Sequence, residues 1–97
     1  MKKILAIDTT ISRKATIKLI EGEKSTEISG DSPLPLIDKL LKKCHTNLSE
    51  LTDLTVNIGP GSYTGLRVGS SIANTLSNIL KIKINGKKES IFPKYTK

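Results

Sequence analysis

Tryptophan is absent and aromatic residues make up only 3% of the chain, one Phe and two Tyr. The core must therefore be built from Ile, Leu, Val and Ala, and there is little to stack against nucleic-acid bases. A single cysteine, Cys44, excludes an intrachain disulfide and a multi-cysteine metal site. A single histidine, His45, leaves no ligand set for zinc, and adjacent helical side chains diverge, so Cys44 and His45 do not make a catalytic pair. Both read as a helix-end feature. No apolar run is long enough for a signal sequence or a membrane span, and Asp8 interrupts the first one. A reducing, cytoplasmic setting without a membrane partner is the expectation. At 97 residues the chain predicts one compact domain, too short for a two-lobed phosphotransferase, a barrel enzyme or a doubly wound dehydrogenase.

Charge is unevenly placed. The net charge is +7, and residues 81–97 hold six Lys and one Glu, so +5 of it lies in the last seventeen residues. That segment reads either as a solvated terminus or as a source of phosphate contacts, which need only accessible Lys or Arg.

The apolar run Ile4-Leu5-Ala6-Ile7 empties into Asp8-Thr9-Thr10 and predicts a central strand. Residues 15–20 alternate with period two, Glu21-Gly22-Glu23-Lys24 forms a turn, and residues 25–28 return, so the first three strands form an antiparallel meander. Asp31 or Ser32 can cap a helix over residues 34–45, in which Leu34, Ile37, Leu41 and Cys44 recur at helical spacing with Leu40 beside them. Residues 54–58 predict a fourth strand, residues 64–80 a second helix, and residues 82–84 a fifth strand closed by Asn85-Gly86. The order β-β-β-α-β-α-β predicts a mixed five-stranded α/β sheet joined by right-handed crossovers. It matches one lobe of the actin-like, sugar-kinase and Hsp70-type ATPase fold.

The stretch Gly59-Pro60-Gly61-Ser62-Tyr63-Thr64-Gly65-Leu66-Arg67 joins a strand to a helix, where backbone amides can hold an anion. It is not a P-loop, since no Lys-Ser or Lys-Thr closes it, nor a dinucleotide fingerprint, since Thr64 stands where that motif needs Gly. Gly65, Gly69 and Ala73 fall at i, i+4 and i+8, a smooth strip suited to close approach by the chain's own first helix or by a partner's, with Leu66, Leu76 and Leu80 beside it. Asp8-Thr9-Thr10 has the form of a phosphate- or magnesium-contacting loop. It equally suits a strand-end turn in which Asp8 bonds neighbouring amides, and one lobe cannot close a nucleotide site.

Residues 4–10, Leu34-Pro35-Leu36-Ile37-Asp38-Lys39-Leu40-Leu41 and, above all, the run from Asn57 through Gly59-Pro60-Gly61-Ser62-Tyr63-Thr64-Gly65-Leu66-Arg67 to Gly69 resemble the bacterial tRNA threonylcarbamoyladenosine biosynthesis protein TsaB (YeaZ) family. The resemblance covers residues 1–87, that family's N-terminal lobe. Ile91-Phe92-Pro93-Lys94-Tyr95, in a basic tail over residues 88–97, resembles the Pro-x-Tyr end of full-length members, which would make this a minimal form. Ala73-Asn74-Thr75 departs from the family's usual Ala-Lys-Gly.

The resemblance implies a non-catalytic scaffold or activating subunit without cofactor or metal, pairing with the TsaD-like catalytic subunit in an assembly with a TsaE-like ATPase. Contact with tRNA would be indirect, and alone the chain would form a homodimer. The pairing face carried over is Gly59, Gly61, Ser62, Tyr63, Thr64, Gly65, Leu66, Arg67 and Gly69, with Ala73 and Leu76 added by helical spacing, and Pro93 and Tyr95 as a tail contact. Two rival readings stand. An autonomous nucleotide-binding enzyme would need a second phosphate loop, and a small basic RNA-binding module would need more interleaved aromatics than Phe92 and Tyr95.

Overall fold

The computed structural model describes residues 2–87. Three strands open the chain: β1 (Lys3–Asp8), β2 (Ala15–Glu21) and β3 (Lys24–Gly30). Gly22, at φ +61°, makes the tight reversal between β2 and β3, in open space where only backbone freedom matters. Helix α1 (Pro33–Lys43) follows, then a single 3₁₀ turn over Leu48–Glu50, strand β4 (Asp53–Val56), helix α2 (Tyr63–Leu80) and the short β5 (Lys83–Ile84).

The sheet order is β3-β2-β1-β4-β5. β1 pairs antiparallel with β2 and parallel with β4, and β4 pairs parallel with β5. This is the expected meander with two crossovers. The register puts Leu5 opposite Leu19 and Leu54, and Ile7 opposite Ile17 and Val56, so one sheet face carries the aliphatic residues. Both helices cover that face, α1 on β2 and β3, α2 on β4, β5 and β1. Ile37, Leu40, Leu41 and Ala73 complete a single core with the strand residues. The opposite face is polar and partly open, with Lys18 between Ala6 and Glu27 in register.

Two local expectations fail for identifiable reasons. Ser32 stands at the N-cap of α1 but makes no side-chain capping bond. Pro33 and Pro35 occupy the first and third helical positions and carry no N–H, so one of the two donors a cap would serve does not exist. Leu34, read as part of the buried stripe of α1, is 61% exposed.

The C-terminal end of α1 explains the adjacent Cys44 and His45. His45 adopts φ +52°, the amide of His45 donates to the carbonyl of Lys42 at 3.1 Å, and that of Thr46 to Leu41 at 2.9 Å. This is a left-handed helix stop in which His45 holds the position usually given to Gly.

Candidate functional site

The end of β1 and the glycine-rich loop close on each other. Asp8 Oδ1 accepts from the amide of Thr10 at 2.9 Å and from its hydroxyl at 2.7 Å, and Oδ2 accepts from Asn57 Nδ2 at 3.4 Å. Partial burial alone would raise the Asp8 pKa, but these donors, with the charge of Lys14, outweigh it and hold the carboxyl below its ordinary value. Asp8 is therefore engaged by its own turn and by Asn57 just past β4.

Across from it, the amide of Ser62 donates to the carbonyl of Thr10 at 2.6 Å. Ser62 caps α2 by accepting from the amide of Gly65 at 3.2 Å, and the hydroxyl of Thr9 donates to the carbonyl of Gly65 at 2.6 Å. A Cβ on Gly61 would lie 2.6 Å from Thr10 Cβ and 2.7 Å from its carbonyl oxygen. One on Gly65 would collide with the carbonyl oxygen of Thr9, and one on Gly69 with the Thr9 hydroxyl. Absence of side chains at these positions is what lets α2 seat on the strand end.

The smooth strip thus packs on Thr9 at the end of the chain's own first strand, not on α1. Leu66, Gly69 and Ala73 are buried, and with Ser70 and Ser77 they form the inward face of α2. Gly59 and Gly61 shape the loop, with a cis peptide bond between Gly59 and Pro60. Tyr63, Thr64 and Arg67 project outward on the first turn and a half, where the Arg67 guanidinium lies 5.6 Å from the centroid of the Tyr63 ring.

Sequence reasoning named Leu76 but missed its exposed neighbours on this flank of α2. Val68, Ile72, Leu76 and Ile79 follow one another at helical spacing; Val68 is 39% and Ile79 69% exposed, while Ile72 and Leu76 are half-buried against the core. Leu76 joins Leu34, Ile37, Leu41 and Leu48 in lining a groove of about 360 Å³ between α1, the 3₁₀ turn and α2. The signal lies in the helical spacing of these four residues, a second apolar line beside the small-residue strip.

Among the described residues no group of His, Cys, Asp and Glu could hold a metal ion, and no helix is long and apolar enough to cross a membrane. Pro93, Tyr95 and the basic tail lie outside the described residues.

A meander followed by two helix crossovers, with the first strand ending in a polar loop that clasps the second helix, defines one lobe of the actin-like ATPase fold. YeaZ from Pseudomonas aeruginosa shares this fold, with a TM-score of 0.79 at 23% identity over 87% of this chain and 42% of that one. A model of the family described as "TsaD: tRNA N6-adenosine threonylcarbamoyltransferase" matches residues 30–86. The chain is 36% identical over 91 residues to the tRNA threonylcarbamoyladenosine biosynthesis protein TsaB of Buchnera aphidicola subsp. Schizaphis graminum, covering 86% of this chain and 42% of that protein. It is 35% identical over 80 residues to the protein of the same name from Haemophilus influenzae, covering 76% of this chain and 34% of that protein. The chain belongs to this family, among its TsaB (YeaZ) members. It spans about two fifths of the length of these relatives.

Proposed function

We propose that the chain serves tRNA threonylcarbamoyladenosine biosynthesis as a non-catalytic subunit that pairs with a TsaD-like catalytic subunit, in an assembly that includes a TsaE-like ATPase. The observation that carries this reading is the apolar groove between α1 and α2. Leu34, Leu48, Val68 and Ile79 are exposed on a chain this poor in aromatics, and they fall around one groove and the α2 flank that continues it. Exposed aliphatic side chains gathered on two adjacent helices are the composition of a helix-packing interface. The outward Tyr63, Thr64 and Arg67 extend the contact toward the N-terminus of α2. Gly65 and Gly69 contribute by seating the helix against Thr9. In the absence of the catalytic subunit, the same face pairs with a second copy of this chain.

The non-catalytic part of the reading is supported by the state of Asp8, whose oxygens are already engaged by Thr10 and Asn57. Pro93 and Tyr95 are proposed as a second contact with the catalytic subunit.

Co-purification of the chain with the catalytic subunit of its own cell tests the reading. Leu34→Glu and Ile79→Glu should each weaken pairing by tenfold or more, about 1.4 kcal/mol, while leaving the melting temperature of the isolated chain nearly unchanged. Undiminished pairing in both variants would overturn the groove as the interface.

A further inference from the structure

We propose that a lysine-lined groove at the opposite end of the sheet from the glycine loop binds the phosphate backbone of RNA. Because β1, β4 and β5 run parallel, their N-terminal ends lie together, and α2 returns to that end. The arrangement gathers Lys2 ahead of β1, Thr52 and Asp53 at β4, Lys83 at β5, and Ser77, Asn78 and Lys81 from the last turn of α2 around a groove of about 620 Å³. Three of the lining residues are lysines and one is a carboxylate.

What separates this groove from an ordinary charged surface is that three lysines, unpaired among the described residues, are gathered around one concave site. Lys3, one residue away, is held by Glu50 at 2.8 Å and Glu21 at 3.7 Å. Lys2, Lys81 and Lys83 make no ion pair among the described residues, and all three are exposed. Lys81, in the left-handed conformation at φ +56°, also sets a positive charge beside the carbonyl end of α2 and offsets a helix dipole that would otherwise repel an anion. The sequence continues from Lys87 with three more lysines.

The shape decides what kind of anion fits. A single phosphate is held by buried donors converging on one point. Here the cations stand apart on the rim of an open groove, which suits successive phosphates along a strand. Ile82 is the one apolar side chain in the lining and no aromatic is present, so bases would not stack there and the contact would be independent of sequence. The choice of RNA among polyanions rests on the proposed place in tRNA modification, and a direct tRNA contact by this subunit goes beyond it.

Binding of the full chain to unmodified tRNA, without the catalytic subunit and over a series of salt concentrations, tests the proposal. Lys81→Glu/Lys83→Glu should lower affinity by about tenfold or more at moderate salt and reduce the salt slope by about two. Lys39→Glu/Lys43→Glu, the same charge change on exposed positions of α1, should have a much smaller effect. Equal losses in both pairs would reduce the groove to general positive charge and overturn the proposal, as would absence of tRNA binding by the unmutated chain. Polyglutamate displacing the chain as readily as tRNA would also overturn it, in favour of an acidic protein ligand. Pairing with the catalytic subunit should survive Lys81→Glu/Lys83→Glu. Failure of the pairing reading therefore shows in the Leu34 and Ile79 variants and failure of the RNA site in the lysine variants.

Discussion

Thr9 and Gly65 are joined by a 2.6 Å hydrogen bond from the threonine hydroxyl to the glycine carbonyl, across 56 positions of sequence. The Thr9 backbone also occupies the space that a side chain on Gly65 would need, so the bond and the absence of a Cβ belong to one contact. It ties the first strand to the helix that carries most of the family's glycine motif.

Gly69→Ala should therefore destabilise the chain itself, by about 1–3 kcal/mol, the usual cost of forcing extra volume into a packed site. Gly69→Leu should prevent α2 from seating at all. Because that residue faces inward, loss of dimer in Gly69→Leu would not identify an interface. Ile79→Glu is the informative variant, and sedimentation should show it monomeric at concentrations where the unmutated chain is a dimer.

Asn85 substitutes for a missing strand residue at the end of β4. Its Oδ1 accepts from the amide of Val56 at 2.9 Å and its Nδ2 donates to the Val56 carbonyl at 3.1 Å. It also holds φ +49°, ahead of Gly86 at φ +78°, in the turn that closes β5. Asn85→Ala should cost about 2–4 kcal/mol in urea unfolding, combining two orphaned backbone groups with left-handed strain. Asn85→Gly should recover the strain component and no more.

Asp8 should contribute a measurable acid sensitivity. Its folded pKa is depressed, so the stability it adds is present above the unfolded value of about 3.9 and is lost as pH falls through the folded value. The difference in urea midpoint between the unmutated chain and Asp8→Asn should be largest near neutrality and shrink below about pH 4. Glu50, lowered first by its bond to the Lys3 ammonium, titrates in the same direction but is common to both proteins and cancels in the difference.

Calorimetric titration with magnesium-ATP should give no binding in the micromolar range. The Asp8 oxygens accept from Thr10 and Asn57, and the amides of Ser62 and Gly65 are taken by the Thr10 carbonyl and the Ser62 hydroxyl, leaving few groups free for phosphates. Micromolar affinity would restore the nucleotide-binding reading.

Deleting residues 90–97 should weaken association with the catalytic subunit and leave the melting temperature of the chain close to its original value. Unaltered association would remove Pro93 and Tyr95 from the interface.

The order of elements and the antiparallel meander of the first three strands were legible in the sequence. Period-two runs at residues 15–20 and 25–28, a continuous apolar run at residues 4–7, and turn residues between them leave little freedom, because local alternation fixes which face each side chain occupies. The sequence also announced that Gly65, Gly69 and Ala73 must lie against something close. What that something is depends on how the chain folds back on itself. Helical spacing specifies a stripe but not its neighbour, and the neighbour of Gly65 and Gly69 proved to be Thr9, from the far end of the sequence, with Val56 of β4 beside Gly69. For the same reason Leu34, which reads as part of the buried stripe of α1, stands exposed in the fold, as do Val68 and Ile79 on α2. Apolar periodicity reports that a face will be covered, and whether by its own sheet or by another molecule depends on how far the sheet extends beneath the helix.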